Sequence, residues 1–314
     1  MAEPHAQRST GPVLAVLAAA TLFGTTGTAQ ALGPAGTTPL GVGAARIVVG
    51  GLGLLAVLPL VGGSRRAALA LWRTRWGLGA GLMTAVYQAL FFGGVHLAGV
   101  ALGTLITIGS GPVFTGLLSW ALLRERPAVS WVVATSVCVV GLALLVGSGA
   151  SAPGTDGRGL LLALGAGLGY AVYTVGAKHL ITEGHRSDDV MTAAFLLGGI
   201  VLLPLLLTQP LAWLATPSGV AMALWLGLAT TTLAYVLFGR GLRHLPAGPV
   251  TTLVLAEPVV ATFLGVVVLG ESLAPLGWVG AALVLAGLAL QGVVSARRGG
   301  AVAAEEALGG GLPT

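Results

Sequence analysis

Residues 251–273 read TTLVLAEPVVATFLGVVVLGESL, an apolar run of membrane-crossing length that carries a carboxylate and a proline, Glu257 and Pro258, near its middle. A helix needs about 20 apolar residues to cross the hydrocarbon core of a bilayer. Nine more runs of this kind precede or follow it. The ten candidate spans lie approximately at 12–31, 40–61, 77–96, 99–122, 129–147, 159–177, 189–207, 218–238, 245–269 and 275–294. Only 8% of the 314 residues are charged and 55% are hydrophobic, where a soluble domain averages roughly 25% charged. The runs are continuous rather than alternating, so they read as helices and not as barrel strands, and helices also satisfy their own backbone amides in lipid. The fold class is therefore all-α, a polytopic membrane protein with ten transmembrane helices.

Basic residues support this count. With the N-terminus inside, the cytoplasmic connections hold Arg8; Arg65, Arg66, Arg73 and Arg75; Arg124 and Arg126; Lys178 and Arg186; Arg240 and Arg243; and Arg297 and Arg298. Only Arg158 falls outside and Arg46 falls within a span, which is the bias the positive-inside rule describes for a ten-span chain with both termini cytoplasmic. The N-terminal run ends in AQA, Ala29–Ala31, like a cleavable signal sequence. The repeat described next gives that run a partner in the second half, which favours its retention. The single Cys138 lies inside the fifth run and reads as packing. No clustered Cys or His pattern suggests a metal, and no G-x-x-x-x-G-K-[ST] loop suggests ATP, so no cofactor is expected. The basic loops read as topology signals and anionic-lipid contacts, with no nucleic-acid partner.

The quoted stretch has a counterpart. A shift of 146 residues sets EPVVATFLGVVVLGESL, from Glu257, on GPVFTGLLSWALLRERP, from Gly111, with Pro258 on Pro112 and Glu271 on Glu125. The same shift sets Phe238 and Gly239 on Phe92 and Gly93, and Gly287 on Gly141. Each half then holds five spans. An odd number returns the second half through the membrane in the opposite sense, which gives two inverted five-helix repeats, the plan from which many secondary transporters build alternating access. The chain divides into a cytoplasmic segment 1–11, a first half 12–147, an external linker 148–158, a second half 159–294 and a disordered cytoplasmic tail 295–314.

These two halves resemble the EamA domains of the drug/metabolite transporter superfamily over roughly residues 12–294, most specifically in EPVVATFLGVVVLGESL, PVFTGLLSWALLRERP and the single arginine of AARIVVG. The resemblance implies a ten-helix carrier of the inner membrane with a central cavity, usually an exporter of amino acids or other small metabolites. The substrate stays open, because the superfamily also includes sugar-nucleotide and triose-phosphate carriers. Gly111 stands where the second half has Glu257, so any role of that acid is asymmetric.

Glu257 lies about twelve residues from either end of its span, roughly 18 Å from each surface. An ionisable group at that depth is costly unless it faces protein or water, and it usually marks a pathway or a proton relay. Desolvation favours the neutral form of any buried carboxyl, which makes protons the candidate coupling ion. The competing reading is a structural tie between helices. Pro258 removes one amide and clashes with the carbonyl of Val254, and Pro112 does the same at Ile108, so both mark helix kinks. Arg46 enters its span about six residues from the outer end, as a snorkelling side chain or as a counter-ion for an anionic group or for Glu257. Polar and aromatic residues deep in other spans complete the candidate substrate-binding set: Thr25, Thr26 and Gln30, Tyr87 and Gln88, Tyr170 and Tyr173, and Tyr235. Tyr235 also suits an interfacial belt, as do Trp72, Trp76 and Trp131. The reading is a secondary carrier and not an enzyme; an intramembrane enzyme on lipid-linked substrates and a non-transporting sensor are the alternatives. The oligomeric state is open.

Overall fold

The computed structural model describes residues 6–147, 157–270 and 272–309. It contains ten helices long and apolar enough to cross a membrane: α1 Thr10–Ala31, α2 Pro39–Val57, α3 Arg75–Ala98, α4 Leu102–Leu123, α5 Val129–Gly147, α6 Gly157–Thr182, α7 Ser187–Leu207, α8 Pro217–His244, α9 Ala247–Leu269 and α10 Pro275–Ser295. All ten coincide with the runs read from the sequence. No strand occurs among the described residues. The expected external linker falls largely on residues outside those described, as does Glu271. At the other end, the helix that carries α10 is Pro275–Gly309, so it runs on into the segment assigned to a tail.

Local chemistry starts several helices. Thr38 caps α2, its Oγ1 accepting from Gly41 N at 3.1 Å, with Pro39 in the first helical position. Thr74 and Thr216 cap α3 and α8 in the same way. Three helices depart from regular geometry. The α4 span ends in a π-helical turn, Ser119–Leu123. In α8 a π-helical stretch covers Trp225–Leu233, and there Thr231 and Thr232 donate to the carbonyls five residues back, Leu226 and Gly227, at 2.9 and 3.2 Å. In α9 the helix breaks at Leu255, between Ala247–Val254 and Ala256–Leu269. That break sits where Pro258 clashes with the backbone one turn earlier. Pro112 behaves differently, because Val100–Leu118 is unbroken around it.

The main helix contacts come in pairs when the halves are exchanged. Helix α3 packs on α6 as α8 packs on α1; α4 packs on α6 as α9 packs on α1; α3 packs on α7 as α8 packs on α2. Helices α5 and α10 pack on each other, and so do α2 and α7. Glycines fix these two self-paired contacts. A methyl group on Gly141 would meet the Gly280 carbonyl and the Val284 amide nitrogen at 2.7 Å, and one on Gly287 would meet the Ala134 carbonyl at 2.9 Å. Positions 134 and 280, like 141 and 287, are 146 apart. A methyl on Gly51 would lie 2.9 Å from Leu196 Cα, and one on Gly199 3.2 Å from Val48 Cα; positions 48 and 196, like 51 and 199, are 148 apart. In both pairs one residue number rises as the other falls, so the helices run antiparallel. Small faces allow backbones this close in lipid, where packing rather than the hydrophobic effect holds helices together.

Two charge and belt expectations need correction. Lys178 is not in a connection. It lies in the last turns of α6, 7% exposed, and its Nζ donates to the carbonyls of Leu242 and Leu245 at 2.8 and 2.9 Å. Helix α6 continues past it because those carbonyls, left over at the end of α8, supply the acceptors that water would otherwise provide. Trp131 is not a belt residue either: its Nε1 donates to Thr252 Oγ1 at 3.0 Å, and its ring fills the space above Gly116 and Gly248.

Candidate functional site

The helix break in α9, the first turns of α2 and the middles of α1, α3 and α6 face one cavity of about 380 Å³. Its wall contains Glu257 and Arg46, together with Thr26, Gln30, Tyr87, Gln88, Tyr170 and Tyr235. The cavity has the size and the largely apolar lining of a small-molecule site. It reaches toward the end of the bundle where α1 gives way to α2 and α3 to α4, since Gln30, Pro39, Val95 and Thr104 also line it.

Two residues named from the sequence stand apart. Thr25 is turned to α8, where it accepts from Trp225 Nε1 at 3.0 Å and donates to the Leu22 carbonyl. Tyr173 is 1% exposed and packs edge-on behind Tyr170, with ring centroids 5.2 Å apart. Pro258 does not line the cavity, and Pro112 lines a much smaller pocket beside it, with Tyr87, Tyr170 and Glu257. The sequence reading missed Phe23, Phe91 and Phe92, which also form the wall. Phe91 follows Tyr87 by one helical turn, a spacing that puts both on one face.

All four tyrosines of the chain belong to one continuous train of rings. It runs from Phe92 through Phe91, Tyr87, Tyr170, Tyr173 and Phe195 to Tyr235, with neighbouring centroids 3.8–6.0 Å apart, and branches there to Phe23 and Phe238. Tyr235 is thus an internal wall residue rather than a belt residue. Beyond it Phe195 and Phe238, 1% and 0% exposed, lie in the packed core.

Gln88 donates to the Gly43 carbonyl at 3.3 Å, but among the described residues neither Arg46 nor Glu257 makes a side-chain hydrogen bond, and no ion pair within 4.0 Å joins them. Arg46 Nε and Thr26 Oγ1 are buried without a partner. Glu257 is largely buried, and what it exposes faces the cavity it shares with Arg46. Gly24 sets the position of the acid: a methyl group there would lie 2.8 Å from the Glu257 carbonyl oxygen and 2.7 Å from Val260 Cβ, so α1 rests directly on the backbone at the break.

Known proteins share this sequence and fold. The model of the EamA-like transporter family matches residues 10–147 and again 157–292. The transporter YwfM of Bacillus subtilis (strain 168) is 42% identical over 276 residues, covering 88% of this chain and 91% of that protein. The threonine/homoserine exporter RhtA of Escherichia coli (strain K12) is 29% identical, covering 84% and 85%. A protein of Streptantibioticus cattleyicolor named "Probable terminal-alkyne amino-acid exporter" is 30% identical, covering 68% and 70%. A solved crystal structure at 21% identity superposes with a TM-score of 0.77 over 93% of this chain and 98% of its own, which shows the same fold. Two matches of one family model, end to end along ten membrane-length helices, make this chain a member of the EamA-like transporter family.

Proposed function

We propose that this transporter is a secondary carrier of the cell membrane, with both termini cytoplasmic, that exports a small metabolite of the amino-acid type by alternating access. The observation that carries the reading is the cavity itself: a carboxylate and a guanidinium at membrane depth share one wall, and neither is tied up by the protein. A charge left unpaired in the membrane interior is expensive, and such residues mark the path of a solute or ion. The names of the relatives RhtA and the Streptantibioticus cattleyicolor exporter support amino acids as the class.

The paired helix contacts and the antiparallel self-contacts of α5 with α10 and of α2 with α7 support two halves inverted about an axis in the membrane plane. Rocking one half against the other about these contacts exposes the cavity to each side in turn. Glu257 is the coupling acid: it holds either a proton or a cationic group of the substrate, so inward proton movement and outward substrate movement alternate at one site. The basic connections support this orientation, in which the cavity's open end faces the outer surface.

Counterflow tests this. Purified protein is reconstituted in liposomes loaded with pooled amino acids and common metabolites, and uptake of each labelled compound is followed for wild type and Glu257→Gln. Exchange of one compound class by the wild type, lost in the variant, is expected. Absence of exchange for every compound by folded protein would reject the carrier, and net transport indifferent to an imposed pH gradient would reject the proton.

A further inference from the structure

Arg46 and Glu257 together narrow the substrate chemistry further than a carrier reading requires. Consider what each class of solute leaves behind in this cavity. A phosphate or carboxylate ion satisfies Arg46 and is repelled by Glu257. An amine satisfies Glu257 and leaves the guanidinium, whose Nε has no partner, buried and unpaired. A neutral sugar pairs with neither charge. A direct ion pair would neutralise both groups, and the protein does not form it. One charge on α2 and one on α9 are instead held apart on the wall of one cavity. Only a molecule with both signs of charge satisfies both groups at once, and a charge left without its partner in a low-dielectric site is strongly penalised.

Resting on the carrier reading above, we infer that the site is a two-point clamp for zwitterionic amino acids with apolar side chains, the ammonium on Glu257 and the carboxylate on Arg46. The rest of the wall sets the side-chain preference. Phe23, Phe91, Phe92, Val42, Ile108 and Val254 give it an apolar face, and about 380 Å³ is ample for one amino acid. Thr26, whose Oγ1 is buried without a partner, stands on the same wall. The clamp also explains why coupling and binding exclude each other: the substrate ammonium occupies the carboxylate that otherwise takes the proton.

The test compares three molecules that share one ring. Inhibition of labelled phenylalanine counterflow and binding to purified protein are measured with phenylalanine, with 2-phenylethylamine, which lacks the carboxylate, and with 3-phenylpropionate, which lacks the amine. The wild type is expected to discriminate against each single-charge analogue by about thirtyfold or more. Read by binding, Arg46→Gln then loses the discrimination against the amine and keeps it against the acid, and Glu257→Gln does the reverse. Arg46→Lys and Glu257→Asp, which keep the charges, retain both. The wild-type comparison stands without any variant. Analogues that bind as well as phenylalanine, or exchange of some other compound class with no response to phenylalanine or leucine, would overturn the clamp while leaving the carrier intact. Absence of exchange for every compound removes the carrier and the clamp with it.

Discussion

Arg124 and Gly270, 146 residues apart, adopt the same left-handed conformation at the ends of corresponding helices, with φ and ψ of 58° and 20° at Arg124 and 70° and 21° at Gly270. The backbone geometry of the turn is kept in both halves although the residue is not. A left-handed residue costs glycine nothing and costs a side chain about 1 kcal/mol. Arg124→Gly is therefore expected to raise stability by up to about 1 kcal/mol and Gly270→Ala to lower it by a similar amount. Thermal unfolding in detergent measures both; equal and opposite shifts are the expected pattern, and a destabilised Arg124→Gly would contradict it.

Lys178 joins α6 to the end of α8 through two carbonyls, 2.8 and 2.9 Å from its Nζ. Lys178→Met keeps the length of the stem and removes the donor, leaving the Leu242 and Leu245 carbonyls buried without it. Loss of about 2 kcal/mol or more is expected, since a buried polar group without its partner is penalised by about 1–3 kcal/mol. A melting temperature within error of wild type would show that water reaches this end of the bundle and replaces the ammonium.

The ten helices were legible because lipid enforces length and composition so strictly that apolar runs and basic connections alone locate them. That Glu257, Arg46 and Tyr87 face a cavity was legible for a related reason: polar groups at that depth need a purpose. Phe23, Phe91 and Phe92 carry no such signal, since an apolar ring in an apolar helix looks the same whether it faces lipid, a neighbour or a cavity. Thr25 stands apart because a polar atom within a span can be satisfied by a neighbour, as Thr25 is by Trp225, and Tyr173 because its ring packs wholly among other rings. Lys178 was misplaced because a charged residue near a helix end reads as a connection until its acceptors on another helix are known.

Glu125, beyond the end of α4, accepts a hydrogen bond from Ala247 N at 3.2 Å and so ties the α4–α5 connection to the start of α9. Burial pushes its carboxyl above the ordinary value of 4.5, only partly offset by the Lys178 ammonium and the Ala247 amide. An acid whose pKa is raised on folding binds more protons in the native state than in the unfolded one. Its contribution therefore favours folding below the raised pKa, and stability falls as pH rises from about 4.5 through that range. Glu125→Gln keeps a hydrogen-bond acceptor and removes the titration. Melting temperatures measured from pH 4.5 to 7 should fall more steeply for wild type than for the variant, and parallel profiles would show that Glu125 titrates alike in both states.

Gly24 touches the acid only through its backbone, which separates position from charge. Gly24→Ala leaves Glu257, Arg46 and the aromatic wall unchanged but sets a methyl group against the Glu257 carbonyl oxygen and Val260 Cβ at less than 3 Å. Neither is the free end of a flexible chain, so α1 and α9 must separate. Overpacking of this kind costs about 1–3 kcal/mol. It also shifts the backbone that carries the carboxylate, and misplacement by about 1 Å is enough to weaken a charged contact. Exchange by Gly24→Ala is thus expected to fall by about tenfold or more, with the protein still folded and its melting temperature lowered by a few degrees. Gly27 lines the same cavity on the same helix, and a methyl group there meets no other atom within 4 Å. Gly27→Ala is therefore the control for a change of helix propensity alone, and it should keep its exchange. Equal loss in both variants would mean that the flexibility of α1, and not its contact with Glu257, sets the rate.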